Sequence, residues 1–206
     1  MTKKELIEAI VELEWPMFHE VNGDTRADCQ ENRPVFVNMR TAQFSEWSEE
    51  ALEAYRQDLL AAKAEGRNLL RDKYIHMMAS TEPEHYEIFS RELPPASEEK
   101  LRLAEEIWQI LLKQTVELRR QYPAVGKMGR PLRSSEEVGG YASVETYEKG
   151  ELMTYSEKTL AALLRHIRAM EAAGSSYAVR VQENGLVTMG YASLAEAEAD
   201  AERRGL

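Results

Sequence analysis

The sequence predicts an all-α protein, a helical bundle built from two pseudo-repeated halves. Apolar residues recur at helical spacing along most of the chain. Serines stand directly before several acidic and alanine-rich stretches, which is typical of capped helices. The segment 47–74 also recurs in recognisable form at 155–182. We therefore expect one domain spanning 1–206, with halves at about 1–95 and 96–206.

The repeat lies at an offset of about 108 positions, and self-similarity at one offset is typical of an internal repeat. The matched pairs are Trp47 and Tyr155, Ser48 and Ser156, Glu49 and Glu157, Leu52 and Leu160, and Gly66 and Gly174. Alanine-rich helices can resemble one another by accident. Low complexity would match the alanines, however, and not this shared order of aromatic, serine, glutamate, leucine and glycine.

Each copy reads as a capped helix that a glycine ends, followed by a second helix. Ser48 and Ser156 can accept a hydrogen bond from an unpaired backbone N–H at the helix start. Gly66 and Gly174 can adopt the left-handed conformation that ends a helix. The boundary between the halves is expected at the Pro94-Pro95 dipeptide.

The first helix, at about 3–21, carries an acidic residue at an unusual place. Glu14 falls inside a row of apolar side chains. A carboxylate there is costly unless it is paired or protonated, so Glu14 is the first candidate for catalysis. The alternative is that Glu14 borders the apolar stripe and reaches water.

Residues 22–34 form a loop by composition, and they carry the single cysteine, Cys29. A catalytic thiol needs a base or a positive field, and no histidine is near in sequence. We favour a packed or adventitious thiol. One cysteine also excludes an internal disulfide framework and a zinc site of several cysteines, and fits a reducing cytoplasm.

Two further helices, at 35–47 and 68–78, bring polar residues toward the core. Asn38 and Arg40 neighbour the apolar side of the first helix, and Lys73 and Tyr74 lie on the second. An ammonium group on an inward face needs an acidic partner. Glu14 is the candidate partner for Lys73.

The second half begins with a helix capped by Ser97 that runs to about Tyr122. Residues 123–142 follow as the longest stretch expected to lack structure. Its glycines, serines and basic residues, including Arg130 and Arg133, could hold an anion, but their spacing matches no nucleotide-binding pattern. A solvated loop is the alternative.

The segment 143–153 precedes the second copy as 35–45 precedes the first, and it holds Tyr147 and Glu151. Residues 175–189 fit either a helix or a hairpin with a turn at Asn184-Gly185. The repeat favours the helix. A short alanine and glutamate helix at 193–203 ends the chain.

The formal charge of −10 disfavours nucleic acid and anionic membranes as partners. No apolar run approaches the roughly 20 residues of a membrane span, and the start lacks a signal-peptide core, so a cytoplasmic protein is expected. Glu82 and His85 make one Glu-x-x-His pair, but a di-iron bundle needs a second one. No metal site is predicted, and the cofactor question stays open.

Three stretches, GRNLLRDKYIHMM, GRPLRSSEE and TYEKGELMTYSEKTL, resemble the bacterial family known as domain of unknown function 4125. The resemblance runs nearly end to end, from ELIEAIVELEWPMF to GYASLAEAEAD. It implies no activity, so it carries no catalytic role to any residue of this chain.

Two related halves that meet on an axis would form a central cleft, which is a common place for a ligand. We expect a small anionic molecule to bind there, with Glu14 and Tyr155 as catalytic candidates. The expected ligand-binding residues are Asn38, Arg40, Lys73, Tyr74, Arg130, Arg133, Tyr147 and Glu151. The rival hypothesis is a non-catalytic module for protein–protein interaction or regulation, in which these residues are structural.

Overall fold

The computed structural model describes residues 1–21 and 31–206, and within them every regular element is helical. Cys29 and most of the predicted loop at 22–34 lie outside the described residues. The helices are α1 (Lys3–His19), α2 (Arg33–Phe44), α3 (Glu49–Ala64), α4 (Leu69–Thr81), α5 (Pro83–Phe89), α6 (Glu98–Gln121), α7 (Pro123–Met128), α8 (Val144–Leu152), α9 (Glu157–Ala172), α10 (Tyr177–Thr188) and α11 (Leu194–Arg203). The all-α prediction is confirmed.

The predicted caps place the ends of α3 and α9. The hydroxyls of Ser48 and Ser156 each accept a hydrogen bond from a backbone N–H in the first turn. Gly66 and Gly174 follow the last turns with φ of 69° and 74°, a region that glycine adopts without strain. Both helices therefore start after a serine and are followed by a glycine, as the sequence predicts.

The helix predicted at 175–189 is confirmed, and the hairpin alternative is wrong. Asn184 and Gly185 lie inside α10 rather than in a turn. Ser176 caps this helix, and Tyr177 and Leu186 are buried on its inner face. These interactions outweigh the local turn preference of the Asn-Gly pair.

The prediction that 123–142 lacks structure is wrong for its first part. Pro123 begins α7, and the backbone N–H groups of Ala124 and Val125 donate to the two carboxylate oxygens of Glu198. Because the donors at the start of α7 are satisfied by α11, the short helix is held in place. Leu118, Val125, Leu186, Leu194 and Ala197 form a small second core beneath it.

The main core lies between α3 and α9, which pack on each other. Helix α1 covers α3, and α6 covers α9. Helix α4 packs on α8, and α10 packs on α2, so segments from both ends of the chain interleave. At the centre Trp47, Tyr55 and Tyr155 make edge-to-face or tilted ring contacts, with centroids 4.8 to 5.8 Å apart.

Helices α4 and α8 approach closely at Gly150. A Cβ atom there would lie 2.7 Å from Cγ of Met77 and 3.1 Å from the carbonyl oxygen of Lys73. A side chain at this position would require the Met77 side chain to shift and the backbone of α4 to give way. The absence of a side chain at Gly150 therefore lets Lys73 reach the polar residues of α8.

Candidate functional site

A buried ionic network lies where α1, α2, α4 and α8 meet. Arg40 donates from Nε and Nη2 to the two carboxylate oxygens of Glu14, at 2.7 and 2.5 Å. The hydroxyl of Tyr55 donates to Oε1 of Glu14 at 2.7 Å. Glu14 has no exposed surface, so the alternative in which it reaches water is wrong. Its cost inside the apolar row is offset by a two-point pair with arginine.

Glu151 is the second acidic centre of the network. It accepts hydrogen bonds from Arg40 Nη1 at 2.8 Å, Lys73 Nζ at 2.5 Å, Tyr155 OH at 2.6 Å and Gln43 Nε2 at 3.1 Å. Burial by itself would raise the pKa of Glu151. Arg40 and Lys73 outweigh the burial and hold that pKa well below its ordinary value.

The predicted pairing of Lys73 with Glu14 is wrong. Lys73 contacts Glu151, while both oxygens of Glu14 are already used by Arg40. Burial lowers the pKa of Lys73, but Glu151, Tyr147 and Tyr74 together raise that pKa by more than burial lowers it, so the net displacement is upward. Two carboxylates thus face two cations, and the group is balanced in charge.

Beside this network lies a cavity of about 500 Å³, which we call the arginine-lined cavity. It is bounded by α2, α6, α7, α8 and α10, with one contribution from α11. Its wall is mostly apolar, and its charged lining residues are Arg40, Arg119, Arg130 and Glu148. Arg40 and Gln43 belong to both features, so the network forms part of the cavity wall.

Arg119 and Arg130 are held by backbone carbonyls rather than by acids. Arg119 donates from Nη2 to the carbonyl of Arg130 at 2.7 Å, and Arg130 donates from Nη1 to that of Ala142 at 3.0 Å. The Arg130 guanidinium lies 5.1 Å from the ring centre of Tyr147. Within the described part of the chain, neither arginine has a carboxylate at ion-pair distance. Neither guanidinium is therefore neutralised by a direct ion pair in the described chain, and that of Arg130 also lies 4.9 Å from the ring centre of Tyr141.

Glu148 and Arg119 are the charged residues of the cavity wall that the sequence interpretation missed. Of the two, Glu148 is the only acid. It lies half-buried in the cavity wall and makes no hydrogen bond or ion pair with residues 1–21 or 31–206. Burial, together with the charge of Glu151, raises the pKa of Glu148 to about 7, although Lys73 and Arg40 oppose the rise. A carboxyl group that titrates near neutrality can take or give a proton.

The other predicted site residues fall into three groups. Glu14, Arg40, Lys73, Glu151 and Tyr155 come together in the network, and Arg40, Arg130 and Tyr147 line the cavity. The ring of Tyr147 joins the two, because the Lys73 ammonium lies 3.4 Å from its centre. Asn38 is exposed, Tyr74 packs against the main core, and Arg133 lies 3.9 Å from Glu145, all outside the cavity wall.

The described residues were also searched for metal sites and for membrane-spanning helices. They contain no group of three or more His, Cys, Asp or Glu placed to hold a metal ion, and Glu82 pairs with His85 on the surface. Among the helices of 1–21 and 31–206, none combines the length and hydrophobicity that crossing a bilayer requires.

Comparison with known families confirms the resemblance drawn from the sequence. The model of the family described as "Protein of unknown function (DUF4125)" matches residues 4–199. Comparisons with the curated proteins and with the solved structures gave no match.

Proposed function

The chain belongs to the DUF4125 family of proteins of unknown function, and we propose that it binds a small organic anion with an apolar body in the arginine-lined cavity. The observation that carries this proposal is the charge of the wall. In a chain of formal charge −10, the cavity is lined by three arginines and one glutamate. Arg119 and Arg130 are not paired with acids of the described chain, so a carboxylate or phosphate can take their N–H groups.

The apolar part of the ligand would meet a wall of aliphatic and thioether side chains. Leu111, Leu118, Val144 and Val181 are among the lining residues. Three methionines of the wall, Met39, Met128 and Met189, are exposed, at 49%, 46% and 66%. Methionine is unbranched and adapts to irregular shapes, which suits an opening that must admit a flexible chain.

The proposal assigns the predicted residues two kinds of role. Arg130 and Tyr147 contact the ligand from the wall, together with Arg119. Arg40 has its guanidinium nitrogens engaged by Glu14, Glu151 and Gln43, so it offers the ligand no free donor, and its charge is balanced within the network. The remaining network residues hold Arg40 in place, as buried hydrogen-bonded groups do at preorganised sites.

We also propose that the chain consists of two duplicated halves related by a twofold axis, and that the cavity lies beside this axis. Three observations support the duplication. Gln43 and Glu151 are 108 positions apart and hydrogen-bond to each other, and Trp47 meets Tyr155 edge to face at the same offset. A residue that contacts its own counterpart is typical of a twofold axis. The packing of α4 on α8 likewise has its counterpart in that of α10 on α2.

Duplication also explains why the cavity exists. The burial patterns of α1 and α6 match, with Leu6, Ile10 and Met17 corresponding to Leu103, Ile107 and Gln114. The four charged residues of the network and their counterparts are then Glu14 and Leu111, which are 97 positions apart, and Arg40 and Glu148, Lys73 and Val181, and Glu151 and Gln43, which are each 108 positions apart. All four counterparts line the cavity. One side of the axis is filled by ion pairs, and the other side is left open.

Thermal unfolding with a library of organic anions tests the proposal. Carboxylates and phosphates with apolar chains should raise Tm, since a ligand at about 100 times its Kd stabilises by about 2.7 kcal/mol. Arg119→Gln and Arg130→Gln should each weaken the shift. Arg102→Gln removes an exposed arginine paired with Glu99 and Glu106, and it serves as the matched control.

Two results would contradict anion binding. One is the absence of any stabilising compound, and the other is an equal shift in all three arginine variants. A stable complex with another protein that Met39→Gln or Met189→Gln disrupts, in the absence of any small ligand, would favour the interaction module instead, because both side chains are exposed at the cavity.

A further inference from the structure

Glu148 poses a problem that the proposed anion does not solve. Its carboxyl group lies in the cavity wall with no hydrogen-bond donor from the described residues. The nearest cations, Arg40 and Lys73, are engaged by Glu14 and Glu151. The carboxyl group is half-buried and lies in the cavity wall, so a ligand that fills the cavity would cover it. A ligand that offers it no donor would leave it desolvated and unpaired, at a cost of about 1 to 3 kcal/mol.

We infer that the ligand of the arginine-lined cavity also carries an ammonium group that Glu148 receives, which makes the ligand an amphipathic zwitterion. This inference rests on the proposed function and deepens it. The anionic group would lie at Arg119 and Arg130, the apolar chain along α6 and α10, and the nitrogen at α8. Each part of such a molecule meets a wall group of matching chemistry.

Charge supports this assignment over a simple anion. Tyr147 and Glu148 are neighbours on α8, and the ring of Tyr147 lies 5.1 Å from the Arg130 guanidinium. A bound anion near Arg130 would therefore share one cavity with the carboxylate of Glu148, and like charges in a poorly solvated space repel. An ammonium group on the ligand removes that repulsion and supplies the missing hydrogen bonds.

The groups that face Glu148 set its response to pH. They are Arg40 on α2, Lys73 on α4, Glu151 on the same helix and Tyr177 on α10. All four keep one charge state near neutrality, because the pKa values of the two cations and of Tyr177 are raised and that of Glu151 is lowered. Glu148 is thus the group of this set that titrates near pH 7.

Calorimetry with matched compounds tests the inference on the full chain. The probes are ω-aminocaproate, ω-aminocaprylate and ω-aminolaurate, each measured against the fatty acid of the same length. At one chain length or more, the amino compound should bind at least about tenfold more tightly, a difference of about 1.4 kcal/mol. Binding near pH 7 should release protons from Glu148, which titrations in buffers of different ionisation enthalpy detect.

The isosteric variant Glu148→Gln should reduce the preference for the amino compound to less than about twofold and abolish the proton release. Fatty acids that bind as tightly as their amino counterparts, and that lose affinity in Arg130→Gln, would overturn the zwitterion while leaving anion binding intact. Failure of both series to bind would overturn the zwitterion together with the proposed function. Proton release is measured on the unmodified chain, so the test does not depend on how well a variant folds.

Discussion

Glu148 and Glu151 lie one helical turn apart on α8, yet their carboxyl groups meet opposite surroundings. Glu151 accepts four hydrogen bonds from Arg40, Gln43, Lys73 and Tyr155. Glu148 accepts none from the described residues and faces the cavity. The pKa of Glu151 is lowered and that of Glu148 is raised to about 7. Two acids of one short helix are thereby separated into a structural anion and a titrating group.

The first prediction concerns Glu148 and pH. Between about pH 4.5 and 7 the folded protein holds a proton on Glu148 that the unfolded chain has lost, so stability falls as pH rises through this range. Glu148→Gln removes that loss and should be more stable than the parent above pH 7, by on the order of 2 kcal/mol. Urea titrations across pH measure the difference. A gain that persists unchanged below pH 4.5 would show that another cause operates.

The second prediction concerns the buried pair of Glu14 and Arg40. Glu14→Gln leaves the Arg40 guanidinium with one acid, Glu151, and should lower the free energy of unfolding by about 3 kcal/mol. Glu99→Gln removes one of the two acidic partners of Arg102 on the surface and should change stability by less than about 1 kcal/mol. Chemical denaturation measures both free energies of unfolding. Equal losses for the two substitutions would contradict the prediction that the buried pair contributes more to stability than the surface pair.

The third prediction concerns the partner of Lys73. Double-mutant cycles with Lys73→Met should give a coupling of about 2 kcal/mol to Glu151→Gln. The coupling to Glu14→Gln should be smaller, at under about 1 kcal/mol, because those two residues share no hydrogen bond. The reverse order of the two couplings would restore the pairing that the sequence alone suggests.

The fourth prediction concerns the close approach of α4 and α8. Gly150→Ala places a methyl group against Met77 and should destabilise the protein by about 1 to 3 kcal/mol. Gly185→Ala is the matched control, because it lies inside α10 with no atom within 4 Å of the added carbon. That change should stabilise by about 0.5 to 1 kcal/mol. A neutral Gly150→Ala in thermal unfolding would mean that the two helices can separate freely.

The fifth prediction tests the duplication. If Leu111 and Glu148 are the counterparts of Glu14 and Arg40, then Leu111→Glu with Glu148→Arg should recreate an ion pair across the cavity. Each single change buries an unpaired charge and should destabilise the protein. The double variant should recover at least about 1 kcal/mol relative to their sum and should lose anion binding. Strict additivity of the two changes would contradict the correspondence.

Much of the fold could be predicted from the sequence, because the features that define a helix lie within a short stretch of the chain. Serine caps, terminal glycines and apolar spacing predicted the helices, and the repeat predicted that α10 is helical. Glu14 and Lys73 stood out because a charge at an inward position needs a partner. The partner of Glu14 lies on α2 and that of Lys73 lies on α8, so both pairings depend on how these helices pack. The spacing of apolar residues within one helix does not predict how two helices cross.

The parts that the sequence did not predict depend on distant contacts. Glu148 and Arg119 look like ordinary surface residues of amphipathic helices, and they become cavity residues because other segments cover them. Helix α7 is held at its start by Glu198, more than 70 positions later in the chain. At the offset of 108 positions, Glu148 corresponds to Arg40. An acid at the position that corresponds to a basic residue was the one feature of the sequence that could have identified Glu148 as a site residue.

The crossed packing of α4 on α8 and of α10 on α2 also affects how the molecule opens. Detachment of α10 would uncover α2, and detachment of α8 would uncover α4, so we expect the two helices of each pair to loosen together. Their amide protons should exchange with solvent together, at the rate of global unfolding, whereas the short helices α5 and α7 exchange through local fluctuations.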